Sequence, residues 1–152
     1  MMTAHDLGLL VALGHQEFVR QLRTELGRRG FDDLGRSDGY VLRALQVASL
    51  TVTELAGQLA VSKQAASQIV EDLCRRGYLQ RRPDPADARA WRLALTGRGE
   101  GVLLAARRFQ TRYERRLVRD HGADALDVVR AILTDMAGTS AAGEPGAPAL
   151  AI

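Results

Sequence analysis

Between Thr51 and Leu95 two short helical patterns and a pair of alternating segments follow one another with almost no connecting residues, and this order constrains the fold more than any other feature. Thr51-Val52-Thr53-Glu54 has capping-box spacing: the Thr51 hydroxyl accepts the third residue's N–H and Glu54 reaches back, so a helix is expected from there to about Ala60. Val61-Ser62 then makes a tight turn. Ser62 is placed to cap a second helix, whose Ala65, Ala66, Ile69, Val70 and Leu73 form one apolar stripe ending before Gly77. Leu79 alternates with Gln80 and Arg81, while Trp91, Leu93 and Leu95 alternate with Arg92 and Ala94. That is the period of half-buried strands, and it places Trp91 in the hairpin core. The connection from Arg82 to Arg89 is polar and stiffened by Pro83 and Pro85, so the strands form a wing with a projecting tip.

Helical periodicity continues on both sides. Leu7, Val11, Phe18 and Leu22 predict a long first helix from Thr3 to about Leu26, with Thr3 as its cap. Arg28-Arg29-Gly30 ends it, Phe31 to Gly35 is a connection, and Ser37 is placed to cap a short helix carrying Tyr40, Val41, Ala44 and Leu45. Thr96 is placed to cap a long helix with Val102, Ala106, Phe109, Tyr113 and Leu117 on one face; after His121-Gly122, Leu126, Val129, Leu133 and Met136 mark a shorter one. The expected fold is mainly α-helical, about six helices with a small β-hairpin wing. Residues 1–137 form one domain: a winged helix-turn-helix lobe at 37–98, and dimerisation helices at 1–36 and 99–137. Residues 138–152 lack periodicity and hold two of the four prolines, as a disordered tail would. The outer apolar stripes flank the lobe at both ends of the chain, which suits pairing across a twofold axis better than closing a monomeric core.

A length of 152 residues suits one domain, and 46% hydrophobic residues exclude wholesale disorder. One cysteine excludes disulfide scaffolds and structural zinc sites. No apolar run reaches the ~20 residues of a membrane span, and no basic segment followed by an apolar run opens the sequence, so a cytoplasmic protein is expected. There is no Gly-rich phosphate loop, G-x-S-x-G or H-E-x-x-H, and His5, His15 and His121 are scattered. An enzyme is therefore not expected, nor a cofactor or metal.

The charge pattern favours nucleic acid over a membrane, and the order of helix, turn, helix and hairpin suits double-stranded DNA. From Thr51 to Arg98 there are eight cations against five anions, a surplus equal to the +3 of the whole chain. Lys63, Gln64, Ser67 and Gln68 spread polar atoms over the first half of the second lobe helix: glutamine pairs bidentately with adenine, and lysine reaches guanine or phosphate. The free N–H groups at the start of this helix favour an anion near Ser62, and Thr51 is counted with the DNA-contacting positions. On the wing, Asp87 is spaced to hold Arg89 or its neighbouring backbone extended, ready for a minor groove. Taken singly, each of these residues also reads as a solvated surface group, and an exposed Asp87–Arg89 pair contributes only about 0–1 kcal/mol; it is the cap, turn and wing together that favour contact with DNA. The arginine run from Arg107 to Arg119 reads as a solvated face or a dimer rim.

Leu50 to Ala56, Val61-Ser62-Lys63-Gln64-Ala65, Gly77-Tyr78-Leu79, Arg82-Pro83-Asp84-Pro85, Asp87-Ala88-Arg89 and Leu95-Thr96, in this order, resemble the MarR family of transcription regulators over about Ser37 to Arg98. The resemblance implies a homodimer with interlocked outer helices, two winged lobes on a pseudopalindromic operator, mostly repression, and release by a small ligand or thiol oxidation. It carries over Ser62, Lys63, Gln64, Ser67, Gln68, Asp87 and Arg89 as DNA-contacting positions. Gln68 departs from the arginine that many relatives hold nearby, so no operator transfers with the fold. A small apolar or aromatic effector is expected beside Phe18, Tyr40, Phe109 or Tyr113. Cys74 is a candidate redox residue, its thiol lowered by Arg75 and Arg76 and raised by the helix terminus. The alternatives are a thiol-responsive regulator acting through Cys74, and a winged-helix module that binds protein or RNA without operator preference.

Overall fold

The computed structural model describes residues 6–138. The chain runs α1 (Leu7–Arg28), α2 (Asp38–Val47), α3 (Val52–Leu59), α4 (Lys63–Arg75), β1 (Leu79–Pro83), β2 (Trp91–Leu95), α5 (Gly97–His121) and α6 (Ala123–Ala137). Six helices and a two-stranded antiparallel hairpin are thus the architecture of the described residues, as the periodicities predict. The expected tail lies outside the described residues except for Gly138. Thr3 also lies outside them; the cap of α1 is Asp6, whose carboxylate accepts the Leu9 N–H at 3.2 Å.

Local signals account for most boundaries. The capping box of α3 is complete: the Glu54 N–H donates to Thr51 Oγ1 at 3.2 Å, and the Thr51 N–H donates to the Glu54 carboxylate at 2.8 Å. Ala60 ends α3 in the left-handed region (φ 53°), so the chain reverses within Ala60–Ser62, and Ser62 Oγ accepts the Ala65 N–H to start α4. Thr96 Oγ1 caps α5 through the Gly99 N–H. Ser37 makes no cap bond, contrary to expectation, because the next residue does the holding: buried Asp38 accepts the Gly35 N–H at 2.6 Å and pins the connection leading into α2.

One apolar core runs through all of this. Leu22 and Leu26 of α1, Val41 and Leu42 of α2, Leu55 of α3, Val70 and Leu73 of α4, Tyr78, Leu93, and Val102 and Phe109 of α5 are buried in a single cluster. Leu50 joins the hairpin through one antiparallel bridge to Leu93, with the Leu93 N–H donating to Leu50 O at 2.7 Å. Gly99 lets α5 start against the hairpin, because a methyl group there would overlap the Tyr78 carbonyl oxygen. Away from this core the picture changes. Leu7, Leu10 and Leu13 of α1 are exposed, α6 has no buried residue, and Val128, Val129, Ile132, Leu133 and Met136 face outward.

Trp91 is 54% exposed rather than part of the hairpin core. It pairs with Pro83 at the last rung of the β1–β2 register, whereas the core reaches only as far as Leu93, two residues further in. Alternation assigns a face of the strand; it does not say how far along the strand that face is covered.

Candidate nucleic-acid interface

Buried Ala66, Val70 and Leu73 fix the rotation of α4, and Lys63, Gln64 and Gln68 are exposed, with Ser67 half-buried. Gln64 and Gln68 lie one turn apart and share a face, as do Lys63 and Ser67. None of these four side chains makes a hydrogen bond within the protein among the described residues. Small Ala65 and Ala66 carry the stretch that packs inward, so the long polar side chains stand clear of it. The hydroxyls of Thr51 and Ser62 are already engaged as caps. What remains at those helix starts for an anion is backbone N–H groups.

The wing is held at its base and free at its tip. Asp84, only 9% exposed, accepts the Arg92 Nε–H at 2.6 Å and the Ala86 N–H at 2.8 Å. These partners, the Ala86 N–H first and then Arg92, hold its carboxyl below the usual range. Arg92 also donates to Ser49 O at 2.8 Å and lies 3.7 Å from Glu54, tying the wing to the start of α3. At the tip, Asp87 accepts the Arg89 backbone N–H at 2.9 Å, the backbone alternative of the two expected, and the exposed Arg89 guanidinium has no partner among the described residues. Sequence reasoning missed Asp84 and Arg92 as positioning residues. Their signal was the polar alternation of Arg92 within an apolar strand and an aspartate between two prolines.

Ion pairing sorts the eight cations of this segment. Arg75 pairs with Asp72, Arg76 with Asp72 and Asp38, Arg92 with Asp84 and Glu54, and Arg98 with Asp33. Lys63, Arg81, Arg82 and Arg89 have no carboxylate partner among the described residues. All four lie on the first turn of α4 or on the wing. Glu71 and Asp87 likewise have no cation partner among the described residues, so the unpaired cations of this segment exceed its unpaired carboxylates by two.

The remaining candidates are separated by the fold. Phe18, Phe109 and Tyr113 pack edge-to-face or tilted, with ring centroids 5.1–5.8 Å apart, while Tyr40 sits half-buried on α2 and stacks with none of them. Beside Phe109 and Tyr113 a groove of about 440 Å³ runs between α1 and α5, lined also by Arg20, Gln21, Thr24, Arg28, Arg112 and Arg116. Half-buried Cys74 departs from expectation: burial pushes its thiol up, and the cation beside it is Arg81. Arg75 and Arg76, the cations expected to lower it, are turned to Asp72 and Asp38 instead. No helix among the described residues is long and apolar enough to cross a membrane, and no described group of His, Cys, Asp and Glu is arranged to hold a metal ion.

Comparison with known proteins agrees with this geometry. Residues 32–90 match the model of the MarR family. The exopolysaccharide II synthesis transcriptional activator ExpG of Rhizobium meliloti is 28% identical over 122 residues, 80% of this chain; the chain spans only 62% of that relative's length. Among solved structures, a transcriptional regulator of Thermotoga maritima is similar with a TM-score of 0.59 at 25% identity, covering 84% of this chain and 91% of its own. Streptococcus pneumoniae FabT, solved in complex with DNA, aligns with a TM-score of 0.67 at 20% identity over 85% of this chain and 90% of its own.

Proposed function

We propose that the chain, whose residues 32–90 match the MarR family model, pairs with a second copy and represses transcription by occupying a pseudopalindromic operator. The carrying observation is the sorting of charge: every cation left without a carboxylate between Thr51 and Arg98 is on α4 or the wing. In this reading α4 enters the major groove, where Gln64 and Gln68 meet base edges and Lys63 and Ser67 meet bases or phosphate, while Arg89 enters the flanking minor groove. Thr51 and Ser62 set the backbone N–H groups that approach phosphate, and Asp87 keeps Arg89 extended. FabT and Staphylococcus aureus MepR, which have similar folds and were solved bound to DNA, support DNA as the partner.

The exposed apolar residues of α1 and α6 support pairing, since a second copy would cover them. Twofold symmetry then places half-sites about one helical turn, ~10 bp, apart. An effector completes the reading: a small aromatic molecule beside Phe109 and Tyr113 in the α1–α5 groove, shifting the lobes as it binds. The test is selection of genomic fragments by the pure protein. Recovered fragments should share an inverted repeat; salt-sensitive capture without a shared sequence would favour the non-specific winged-helix alternative. A ligand screen in which no compound changes operator binding would remove the effector.

A further inference from the structure

We infer that the polar joint around Tyr78, where the end of α1 and the starts of α2 and α5 meet the end of α4, sets the distance between the two reading edges, with Asp33, Tyr78 and Arg98 as positioning residues for operator spacing. The inference rests on the operator reading above.

The Tyr78 ring is fully buried, and its hydroxyl is used twice: it donates to the Asp33 carboxylate and accepts from Arg98 Nη2 at 2.9 Å. Arg98 donates also to Gly30 O at 3.2 Å, and its guanidinium lies 4.6 Å from the Tyr78 ring centroid and 5.6 Å from that of Phe31. Arg76, at the end of α4, donates to the Asp33 carbonyl and to Asp38 at 2.9 Å, and Asp38 accepts the Gly35 N–H. Tyr78 is thus wired to the α1–α2 connection on one side and the start of α5 on the other. Burial raises the Tyr78 hydroxyl to about 12, with Asp33 adding to the rise, so it stays protonated and able to donate at any working pH.

A phenylalanine would fill the same apolar space. The hydroxyl adds directed bonds, and these fix an angle where apolar packing alone lets elements slide. That angle matters because a turn of B-DNA is about 34 Å for ~10 bp, so a displacement of about 3.4 Å at the reading helix equals one base pair of mismatch. None of the three residues belongs to the DNA-contacting set, so their effect is on placement and not on contact.

The experiment uses the full chain and a series of duplexes carrying two copies of the selected half-site, with centre-to-centre separations from about 9 to about 12 bp, read by gel shift. Wild type should prefer one separation over its neighbours by about tenfold or more, and Tyr78→Phe should flatten this to about threefold or less while binding to a single half-site is unchanged. Arg98→Gln, with the hydroxyl intact, should flatten it likewise, and thermal unfolding of both variants identifies folded protein. A loss equal at every separation would make the joint a matter of stability and overturn the inference, as would a preference that survives both substitutions. A wild type that selects a sequence but is indifferent to separation defeats the inference alone; one that selects no sequence defeats the operator reading with it.

Discussion

The core half of the molecule and its terminal helices treat the same kinds of side chain in opposite ways. Leu42, Leu55, Val70, Leu73 and Leu93 are fully buried, each by neighbours from other elements of its own chain. Val128, Ile132, Leu133 and Met136 of α6 repeat at helical spacing just as regularly and are 43–58% exposed. An isolated 15-residue helix is marginal in water, and α6 packs mainly on α5 without burying a residue. Regular apolar periodicity therefore predicts that a surface will be covered, and only the fold tells whether the cover is intramolecular. The core of the lobe is closed by Leu22 and Leu26 of α1 and Val102 and Phe109 of α5, whereas the apolar face of α6 is left uncovered within the chain.

Substitutions aimed at one half and measured on the other test this contrast. The largest effect is expected from Ile132→Asp with Leu133→Asp, which should weaken self-association by about 3 kcal/mol or more, about a hundredfold. Sedimentation should show single chains while circular dichroism shows the lobe still folded; loss of both signals together would break the comparison. Gly99→Ala should do the reverse, destabilising the core by roughly 3 kcal/mol in urea unfolding, because the added methyl overlaps the Tyr78 carbonyl oxygen. Arg89→Ala should leave stability and association alone and weaken operator binding by about 1–3 kcal/mol, with a shallower salt dependence. Gln68→Ala should relax preference at one base position by about 1 kcal/mol, read from a selected-sequence profile; unchanged operator affinity in both variants would remove α4 and the wing tip as contacts.

The smallest effect is acid sensitivity, and its sign follows from the carboxylates. Asp33 is held below its ordinary range first by the Tyr78 hydroxyl, Asp72 by Arg75, and Asp84 by the Ala86 N–H. Groups depressed in the folded state stabilise fully above the ordinary Asp pKa of about 3.9, and that contribution is lost as pH falls through the depressed values. Stability should therefore slope downward below about pH 4, and Asp84→Asn should make the slope shallower. An unchanged slope would mean that the wing base contributes nothing through its charge.

What was legible in the sequence was what lies close along the chain. The Thr51–Glu54 box, the Ser62 and Thr96 caps and the strand alternation each involve residues within a few positions of one another, and each yields an element where expected. The Asp87 to Arg89 backbone bond, two residues apart, was equally readable. The joint was not: Asp33 and Tyr78 are 45 residues apart, and Arg76 meets Asp38 across 38. No local pattern marks which of several arginines will be tied down, so the separation of Arg92 and Arg98 from free Arg82 and Arg89 needed the fold. Cys74 failed for the same reason, since adjacency to Arg75 and Arg76 in sequence says nothing of where those guanidinium groups point.

The exposed position of Trp91 has a practical consequence. It is the chain's only tryptophan, so intrinsic indole emission comes from one place, the water-facing rung of the wing. That emission should lie at the red end of the indole range in free protein, and a duplex seated against the wing should displace water from the ring and change colour or yield. The molecule thus carries its own optical probe at the point where occupancy would be felt, with no label to disturb it.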